Sequence, residues 1–224
     1  MGRGFTQEYG LNYHETFSQM ARSESWRILL VLALNKGWDV LQWDVKAAYL
    51  QANLNHEIYV KDLKDDGTYE YWRLHKALYG LKQAGHEWYN RMRGIMKYAG
   101  LVQCIGDPGC FYLPITKPGQ QHPQLIVSTH VDDMAGYGTP EALSAFEKAV
   151  EKKVELEKLG KPTKLLGMEL TWSQNAGKKS VKLTQLGCIE NMISEHQIPI
   201  TPPHSIPLNP EEYTENEKDL DRVW

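Results

Sequence analysis

The feature that most constrains this sequence is a pair of adjacent aspartates set between two apolar runs. Asp132 and Asp133 follow the run LIVSTHV at residues 125–131 and precede the run MAGYG at residues 134–138. Strand-forming residues on both sides predict a tight turn between two buried strands. Like charges held side by side away from water are costly, and a cation between them lowers that cost. We therefore expect a β-hairpin whose turn is acidic.

A third aspartate lies in similar surroundings far upstream. Asp44 follows the run WDVLQW at residues 38–43 and precedes VKAAY at residues 45–49. If its strand neighbours the hairpin, the three carboxylates converge on one sheet edge, where oxygen ligands suit hard divalent ions. Two ions held there lower the pKa of an attacking hydroxyl and stabilise a departing pyrophosphate, as phosphoryl transfer requires. The alternative is a turn pair and an unrelated surface aspartate, because short motifs often match by chance.

Three further positions carry candidate chemistry, each with an ordinary alternative. Tyr49 lies just downstream of the third aspartate, where a bulky ring in a nucleotide site would block a ribose 2′-hydroxyl; core packing is the alternative. In the segment LYGLKQAG at residues 78–85, Gly80 permits close backbone approach and Lys82 lies near a predicted helix start, where phosphates bind. The alternative there is a plain strand-to-helix turn. His130 is either a neutral partner of the carboxylates or a simple strand residue.

Charge is distributed unevenly along the 224 residues, although the net charge is only −3. Residues 71–100 hold six Lys or Arg against one acid, whereas residues 211–224 hold six acids against two bases. The net charge argues against a strongly basic nucleic-acid binder, yet the middle of the chain is able to attract phosphates. A solvated helix face is the alternative explanation of the basic stretch.

Hydrophobicity and cysteine content bound the class of protein. Hydrophobic residues make up 42% of the chain, enough for a core in one large domain or two associated subdomains. Cys104, Cys110 and Cys188 are too few and too scattered for a disulfide framework or a zinc site, so a reducing compartment is expected. The first residues do not resemble a signal peptide, and no apolar run reaches membrane-spanning length.

Periodicity and turn residues predict helices and strands without regular β–α–β alternation, which indicates the α+β class. Helices are predicted from Ser23 to a stop at Gly37, at about 84–98, from Pro140 to about Leu159 and from Thr184 to about His196. Strands are predicted at 38–44, 57–60, 70–74, 110–113, 125–131, 134–138, 164–172 and 180–183. After Pro199 the chain is proline-rich and then acidic, as in a linker or tail.

Taken in order, a series of short words resembles the reverse transcriptase domain of copia-type LTR retrotransposons. The words are RGFTQ at 3–7, YHETFS at 13–18, WDVKAAYL at 43–50, EIYV at 57–60, LYGLKQA at 78–84, VDDM at 131–134 and LGMEL at 166–170. The word LTQ at 183–185 resembles the opening of a later helix in the family. The resemblance runs over about residues 2–203.

The resemblance implies a right-hand polymerase palm with partial fingers, in which an antiparallel sheet packs against helices. Residues 1–203 would form palm and fingers, about 184–203 the start of the thumb, and 204–224 a tail. The implied activity is RNA-directed DNA synthesis with two Mg²⁺ ions, or Mn²⁺ as a substitute. The implied partners are an RNA or DNA template, a primer, dNTPs and the RNase H and integrase of a polyprotein. The implied location is the cytoplasm, in a virus-like particle.

The resemblance also implies roles for individual residues. Asp44, Asp132 and Asp133 would be the catalytic carboxylates and, with Val45, the metal ligands. Backbone groups that meet the triphosphate would come from Val45, Lys46, Ala47 and Ala48. Tyr49 would be the steric gate against ribonucleotides, and the incoming nucleotide would be lined by Tyr79, Gly80 and Lys82. The primer grip would consist of Gly167, Met168 and Glu169.

Two departures from the family pattern keep a second hypothesis open. His130 stands where the family usually has Tyr, and Gly85-His86 stands where it has Pro-Arg. The chain also starts inside a family word, so we expect the fingers strand that carries triphosphate-binding bases to be largely missing. The alternative is a decayed or co-opted fragment that keeps the fold, binds nucleic acid weakly and lacks polymerase activity. A two-metal nuclease would fit the carboxylates but would leave Tyr49 and residues 79–82 unexplained.

Overall fold

The computed structural model describes residues 2, 4–116, 118–175 and 177–197, and it divides into two units, Met1–Leu183 and Thr184–Trp224. The helices are α1 (Ser23–Lys36), α2 (Ala48–Gln51), α3 (Ala84–Tyr98), α4 (Pro140–Glu151) and α5 (Leu186–Glu195). The first strands are β1 (Asp39–Val45), β2 (Asn53–Leu63), β3 (Tyr69–Lys76), β4 (Val102–Gln103), β5 (Cys110–Tyr112) and β6 (Leu125–His130). The later strands are β7 (Asp133–Gly138), β8 (Leu156–Gly160), β9 (Lys164–Leu165), β10 (Met168–Asn175) and β11 (Lys178–Thr184).

A six-stranded sheet in the order β4-β5-β6-β7-β1-β8 forms the centre of the first unit. Its neighbouring strands pair antiparallel throughout. Two smaller sheets have the orders β11-β10-β9 and β2-β3. The class is therefore mixed α and β with antiparallel sheets. None of the helices in the described ranges is long and apolar enough to span a membrane.

Both faces of the central sheet are covered, which explains why its middle strands are apolar runs. Successive residues of β7 enter different cores because strand side chains alternate between faces. Met134 joins a cluster with Trp88 of α3 and Phe146 of α4, whereas Ala135 joins a cluster with Trp26 of α1. The sheet thus holds α3 and α4 on one face and α1 on the other.

Several predicted elements are confirmed together with their end signals. Helix α1 ends where Gly37 adopts a left-handed φ of 67°, and α4 begins with Pro140 in its first turn behind the N-cap Thr139. Helix α3 covers the predicted residues 84–98. In the second unit, the Thr184 hydroxyl accepts the Leu186 amide at the start of α5. The N-cap residue of α5 is Gln185, so Thr184 lies one residue before it.

Two predicted elements run through residues where the structure ends or interrupts them. Helix α4 ends at Glu151, and residues 156–160 form the edge strand β8, because pairing with β1 overrides their helix-favouring charges. The strand predicted at 164–172 is broken by a turn at Leu166 and Gly167, so it becomes β9 and β10. The tail predicted after Pro199 lies outside the described residues.

Candidate active site

The strand register brings acidic side chains from three strands into one row. Asp44 of β1 pairs with Asp133 of β7 on one side and with Glu157 of β8 on the other. His130 of β6 pairs with Asp133 and so extends the row by one strand. Directly paired residues share a sheet face, so all four side chains start on the same face.

Asp132 joins this row from the two-residue turn between β6 and β7. The turn consists of Val131 and Asp132, because His130 pairs with Asp133. The Asp132 carbonyl accepts the Val45 amide at 3.0 Å, which ties the turn to the end of β1. The sheet therefore brings the three predicted carboxylates to one place, as expected if their strands were neighbours.

The electrostatic environment of Asp44 is unfavourable for its charge. Burial, followed by the charges of Asp132, Asp133 and Glu157, raises the pKa of Asp44. Every charge that acts on it is negative, so a bound cation would relieve the repulsion. Strand pairing explains the proximity, since the residues on either side of Asp44 are both acids.

The carboxylate oxygens match a hard divalent ion in chemistry but do not close around one. Carboxylates are the ligands that Mg²⁺ prefers. Within the described part of the chain, no three His, Cys, Asp or Glu side chains are grouped closely enough to hold a metal ion. One oxygen of Asp133 already accepts the Gln42 side-chain amide at 3.0 Å. An ion held by three carboxylates here would therefore require these side chains to move closer together.

Tyr49 and Tyr79 form an aromatic pair beside the carboxylates. Their ring centroids lie 4.6 Å apart with an interplanar angle of 50°. Burial, and then the charge of Asp132, raises the pKa of each phenol. Asp132 acts on both rings, so both lie within electrostatic range of the turn aspartate.

The residues between Asp44 and Tyr49 are already hydrogen-bonded within the chain. The Lys46 amide donates to the Glu155 carbonyl at 3.2 Å, and the Lys46 ammonium pairs with the Glu155 carboxylate at 3.1 Å. The Lys46 carbonyl accepts the Gln51 side chain at 2.8 Å. Ala47 has a φ of 51°, and the fully buried Ala48 begins α2. The predicted triphosphate segment is thus folded into a compact turn.

The segment from Tyr79 to Lys82 packs closely against the early segment of the chain, residues 2 and 4–19. Gly80 has a φ of 95°, and a Cβ there would lie 2.1 Å from the Gly2 carbonyl oxygen. The Gly4 amide donates to the Gly80 carbonyl at 2.9 Å. The Lys82 ammonium donates to the Gln7 carbonyl at 3.1 Å and lies 3.4 Å from the Tyr13 hydroxyl. The close approach predicted for Gly80 is therefore made by the chain itself.

His86 ties the same early segment to α3. Its Nδ1 bonds with the Phe17 carbonyl at 2.8 Å, so that nitrogen carries the proton. Its Nε2 accepts the Asn90 amide at 2.8 Å and lies 3.5 Å from the Glu15 carboxylate. The imidazole at this position thus joins the first residues of the chain to α3.

The predicted primer-grip residues form a tight hairpin. Leu166 and Gly167 have φ values of 48° and 77°, the positive pair that a type I′ turn requires, and Leu165 pairs with Met168. Leu165 and Leu166 line a small cleft together with His130 and Asp133. The hairpin therefore lies against the strand ends that carry the acidic turn.

The sequence does not predict three of the residues that the structure places at the site. Glu157 falls in the helix predicted to run to about Leu159, although residues 154–156, Val-Glu-Leu, alternate as in a strand. Gln42 alternates with Asp44 along β1, so it shares its face. Trp88 falls within the helix predicted at about 84–98 without any sign of a role in the site, yet its indole donates to the Val131 carbonyl at 2.7 Å. No local pattern marks that contact.

Comparison with known proteins gives consistent matches. A reverse transcriptase (RNA-dependent DNA polymerase) family model matches residues 1–210. The chain is 31% identical over 211 residues to the retrovirus-related Pol polyprotein from transposon TNT 1-94 of Nicotiana tabacum, covering 92% of this chain and 15% of that protein.

Two Arabidopsis thaliana proteins are also similar. The Pol polyprotein from transposon RE2 is 40% identical over 118 residues, covering 50% of this chain and 8% of that protein. The Pol polyprotein from transposon RE1 is 35% identical over 138 residues, covering 60% and 9%. The chain thus spans 15% or less of the length of these curated relatives.

Proposed function

Because the chain belongs to the reverse transcriptase family of copia-type retrotransposon polyproteins, we propose that it is the catalytic part of an RNA-directed DNA polymerase. In the proposed reaction a primer 3′-hydroxyl attacks the α-phosphorus of a dNTP, and pyrophosphate leaves. The substrates would be an RNA or DNA template, its primer and dNTPs.

One observation carries this proposal. Asp44 pairs with Asp133, and the Asp132 carbonyl accepts the amide of Val45, so residues far apart in sequence converge at the end of two neighbouring strands. The raised pKa of Asp44, caused by burial and then by its acidic neighbours, supports a site that a bound cation would stabilise. Structural stability alone gives no reason to collect acids in this way.

The chain's own residues would bind and orient the reactants. Asp44 and Asp132, with the Val45 carbonyl, would hold two Mg²⁺ ions, and Asp133 would support Asp132 through the turn. When bound, Mg²⁺ neutralises charge on the transferred phosphoryl group. Tyr49, packed on Tyr79, would occupy the space beside the sugar and exclude a 2′-hydroxyl.

Other predicted residues would contribute around this centre. The hairpin of Gly167, Met168 and Glu169 would contact the primer, because it lies beside His130 and Asp133. Backbone groups of residues 45–48 that are hydrogen-bonded within the chain would bind the triphosphate only after those hydrogen bonds break.

We also propose the finer architecture. The six-stranded sheet with α1, α3 and α4 would be the palm, and β2, β3 and the first residues would belong to the fingers. The second unit, from Thr184, would begin the thumb, and residues 204–224 would form a tail. The chain would act within a polyprotein that also carries RNase H and integrase, in a cytoplasmic particle.

A specific observation favours a second candidate, a protein that keeps the fold without polymerase activity. Lys82, proposed to lie near the nucleotide, is bonded to Gln7 and Tyr13. His86 likewise holds the early segment against α3. A chain locked in this way would bind nucleic acid weakly and turn over nothing.

Primer extension on an RNA template, with Mg²⁺ or Mn²⁺, tests the two candidates. We expect dNTP incorporation by the purified chain and a loss of at least about a hundredfold in Asp132→Asn, since removal of a metal ligand affects the chemical step directly. Asp39→Asn is the matched control, because Asp39 lies on β1 at the end remote from the site.

Each outcome separates the candidates. Incorporation by the wild type and by Asp39→Asn, but not by Asp132→Asn, supports the polymerase. A folded wild type that incorporates nothing with either ion supports the second candidate. Equal incorporation by all three proteins would mean that a contaminating polymerase, or a different site, is responsible.

A further inference from the structure

The turn that carries Asp132 is built on a residue that does not suit it. Val131 has a φ of 59°, while Asp132 has a negative φ. A positive φ at the first central residue only is the pattern of a type II′ hairpin turn, which favours glycine at that place. A β-branched residue with positive φ is a genuine outlier, and such strain persists only when its surroundings hold it.

One hydrogen bond holds the central peptide of this turn from the helix side. The Trp88 indole N–H donates to the Val131 carbonyl oxygen at 2.7 Å. That carbonyl belongs to the peptide joining Val131 to Asp132. Rotation of this peptide would convert a type II′ turn into type I′, in which the second residue also takes a positive φ. The indole contact therefore selects the form in which Asp132 keeps its negative φ.

Trp88 is rigid enough to impose that choice. Its side chain is only 1% exposed and lies in the core formed by α3, α4 and the central sheet. A buried indole N–H needs an acceptor, and Val131 provides it. The next carbonyl, of Asp132, is held by Val45, so both central carbonyls of the turn have a partner.

We infer that Trp88 is a positioning residue, whose indole N–H fixes the peptide between Val131 and Asp132 and thereby the direction of the Asp132 carboxylate. Trp88 itself touches no reactant. The inference rests on the proposed function, because the task assigned to Asp132 is that of a metal ligand in a polymerase. It goes further, because it assigns the conformation of the acidic turn to a residue of the core. That residue lies 43 residues from Val131 in sequence.

Trp88→Phe is the first test, since phenylalanine keeps a buried ring and loses the donor. We expect kcat for primer extension to fall about tenfold or more, with KM for dNTP changed less than twofold, because small displacements of a catalytic group affect the chemical step. Trp26→Phe is the matched control. Trp26 is also 1% exposed, but in the described part of the chain its indole N–H has no hydrogen-bond partner.

A second substitution separates positioning from general packing. Val131→Gly favours a type II′ turn without help, since glycine adopts positive φ freely. In the Val131→Gly background we therefore expect Trp88→Phe to reduce kcat less than twofold. A structural role of Trp88 in the core would reduce kcat equally in both backgrounds, and that result would overturn the inference.

Hydrogen–deuterium exchange gives a readout that does not depend on activity. We expect Trp88→Phe, but not Trp26→Phe, to accelerate exchange at the amides of residues 131–133 in the folded protein. If the wild type extends no primer, the proposed function fails and exchange alone decides on Trp88. Unchanged exchange at the turn in Trp88→Phe overturns the inference whether or not the protein is active.

Discussion

At the residue scale, the chain places charge where folding alone gives no reason for it. Asp44 is flanked across the sheet by Asp133 and Glu157, and Asp132 lies in the adjoining turn. Like charges directly opposite each other in a sheet are destabilising. The raised pKa of Asp44 reflects that conflict, with burial as its largest cause. The ionised site therefore lowers the free energy of unfolding, and interactions elsewhere in the fold must offset this loss.

Asp44→Asn should therefore stabilise the protein in metal-free buffer. We expect a gain in the free energy of unfolding of up to about 1 kcal/mol at pH 7, the size of a cross-strand pair effect. Because the native pKa of Asp44 is raised, its penalty is complete above that pKa and disappears as the pH falls toward the usual value of 3.8. The gain should shrink over the same window, as measured by urea unfolding with chelator at pH 7 and pH 4.

Asp39→Asn serves as the control on the same strand. Asp39 lies 3.6 Å from the Lys179 ammonium, so its removal should stabilise nothing. Equal gains for the two variants would indicate a general charge effect rather than repulsion at Asp44.

Gly80→Ala should loosen the first residues of the chain from the segment at residues 79–82. We expect a loss of about 1–3 kcal/mol in the free energy of unfolding, since the new Cβ meets the Gly2 carbonyl and φ is strained. Gly37→Ala has a positive φ but open space around it, so it should lose only about 1 kcal/mol. Faster proteolysis near residues 4–19 in Gly80→Ala alone would locate the difference; equal behaviour would show that sterics play no part.

At the element scale, one carboxylate connects α4 with β1, the strand that carries Asp44, and with the neighbouring edge strand β8. Glu147 of α4 accepts the Trp43 indole N–H at 2.8 Å and pairs with Lys158 of β8 at 2.6 Å. Lys158 also pairs with Glu151 at 2.7 Å. Burial works to raise the pKa of Glu147, but the hydrogen bonds from Lys158 and Trp43 outweigh it, and the pKa lies below its usual value.

Glu147→Leu should destabilise the protein more than Glu147→Gln. Leucine leaves the Trp43 indole N–H buried without an acceptor, which costs about 1–3 kcal/mol. Glutamine keeps an acceptor and loses only a partly exposed ion pair, so we expect less than about 1 kcal/mol. Since the native pKa of Glu147 is lowered, the ionised form stabilises the fold above its unfolded pKa, and this is lost as pH falls through the native pKa. Urea unfolding at pH 7 would refute this reading if the two variants were equally destabilised.

At the scale of the whole molecule, stability should be unevenly distributed among the sheets. The central sheet is covered on both faces, whereas the β2-β3 ribbon leaves Tyr59, Tyr71 and Trp72 largely exposed. A two-stranded sheet is marginal by itself in water. The ribbon thus has less burial to hold it than the central sheet.

We expect this difference to appear in amide exchange. Amides of β2 and β3 should exchange about tenfold or more faster than those of β6 and β7, after correction for intrinsic rates, because opening the ribbon exposes less apolar surface. Mass spectrometry of exchanged peptides at neutral pH gives the comparison directly. A ribbon protected as well as β6 and β7 would mean that the two sheets open together.

The sequence by itself determined the elements whose signals are local. Apolar runs on either side of the aspartate pair located β6 and β7, and apolar residues at helical spacing located α3. Turn chemistry marked the acidic hairpin and the end of α1 at Gly37. The same local words identified the family. Local signals failed where pairing partners decide conformation, as at β8, whose residues become a strand only because β1 offers an open edge.

Only the tertiary structure decided which side chains meet. The register of three strands set Glu157 beside Asp44, core packing set the Trp88 indole on the Val131 carbonyl, and the early segment occupied Lys82. Each contact joins residues distant in sequence. Their geometry follows from the packing of whole elements, because a contact of that kind leaves no periodicity in the chain from which it could be predicted.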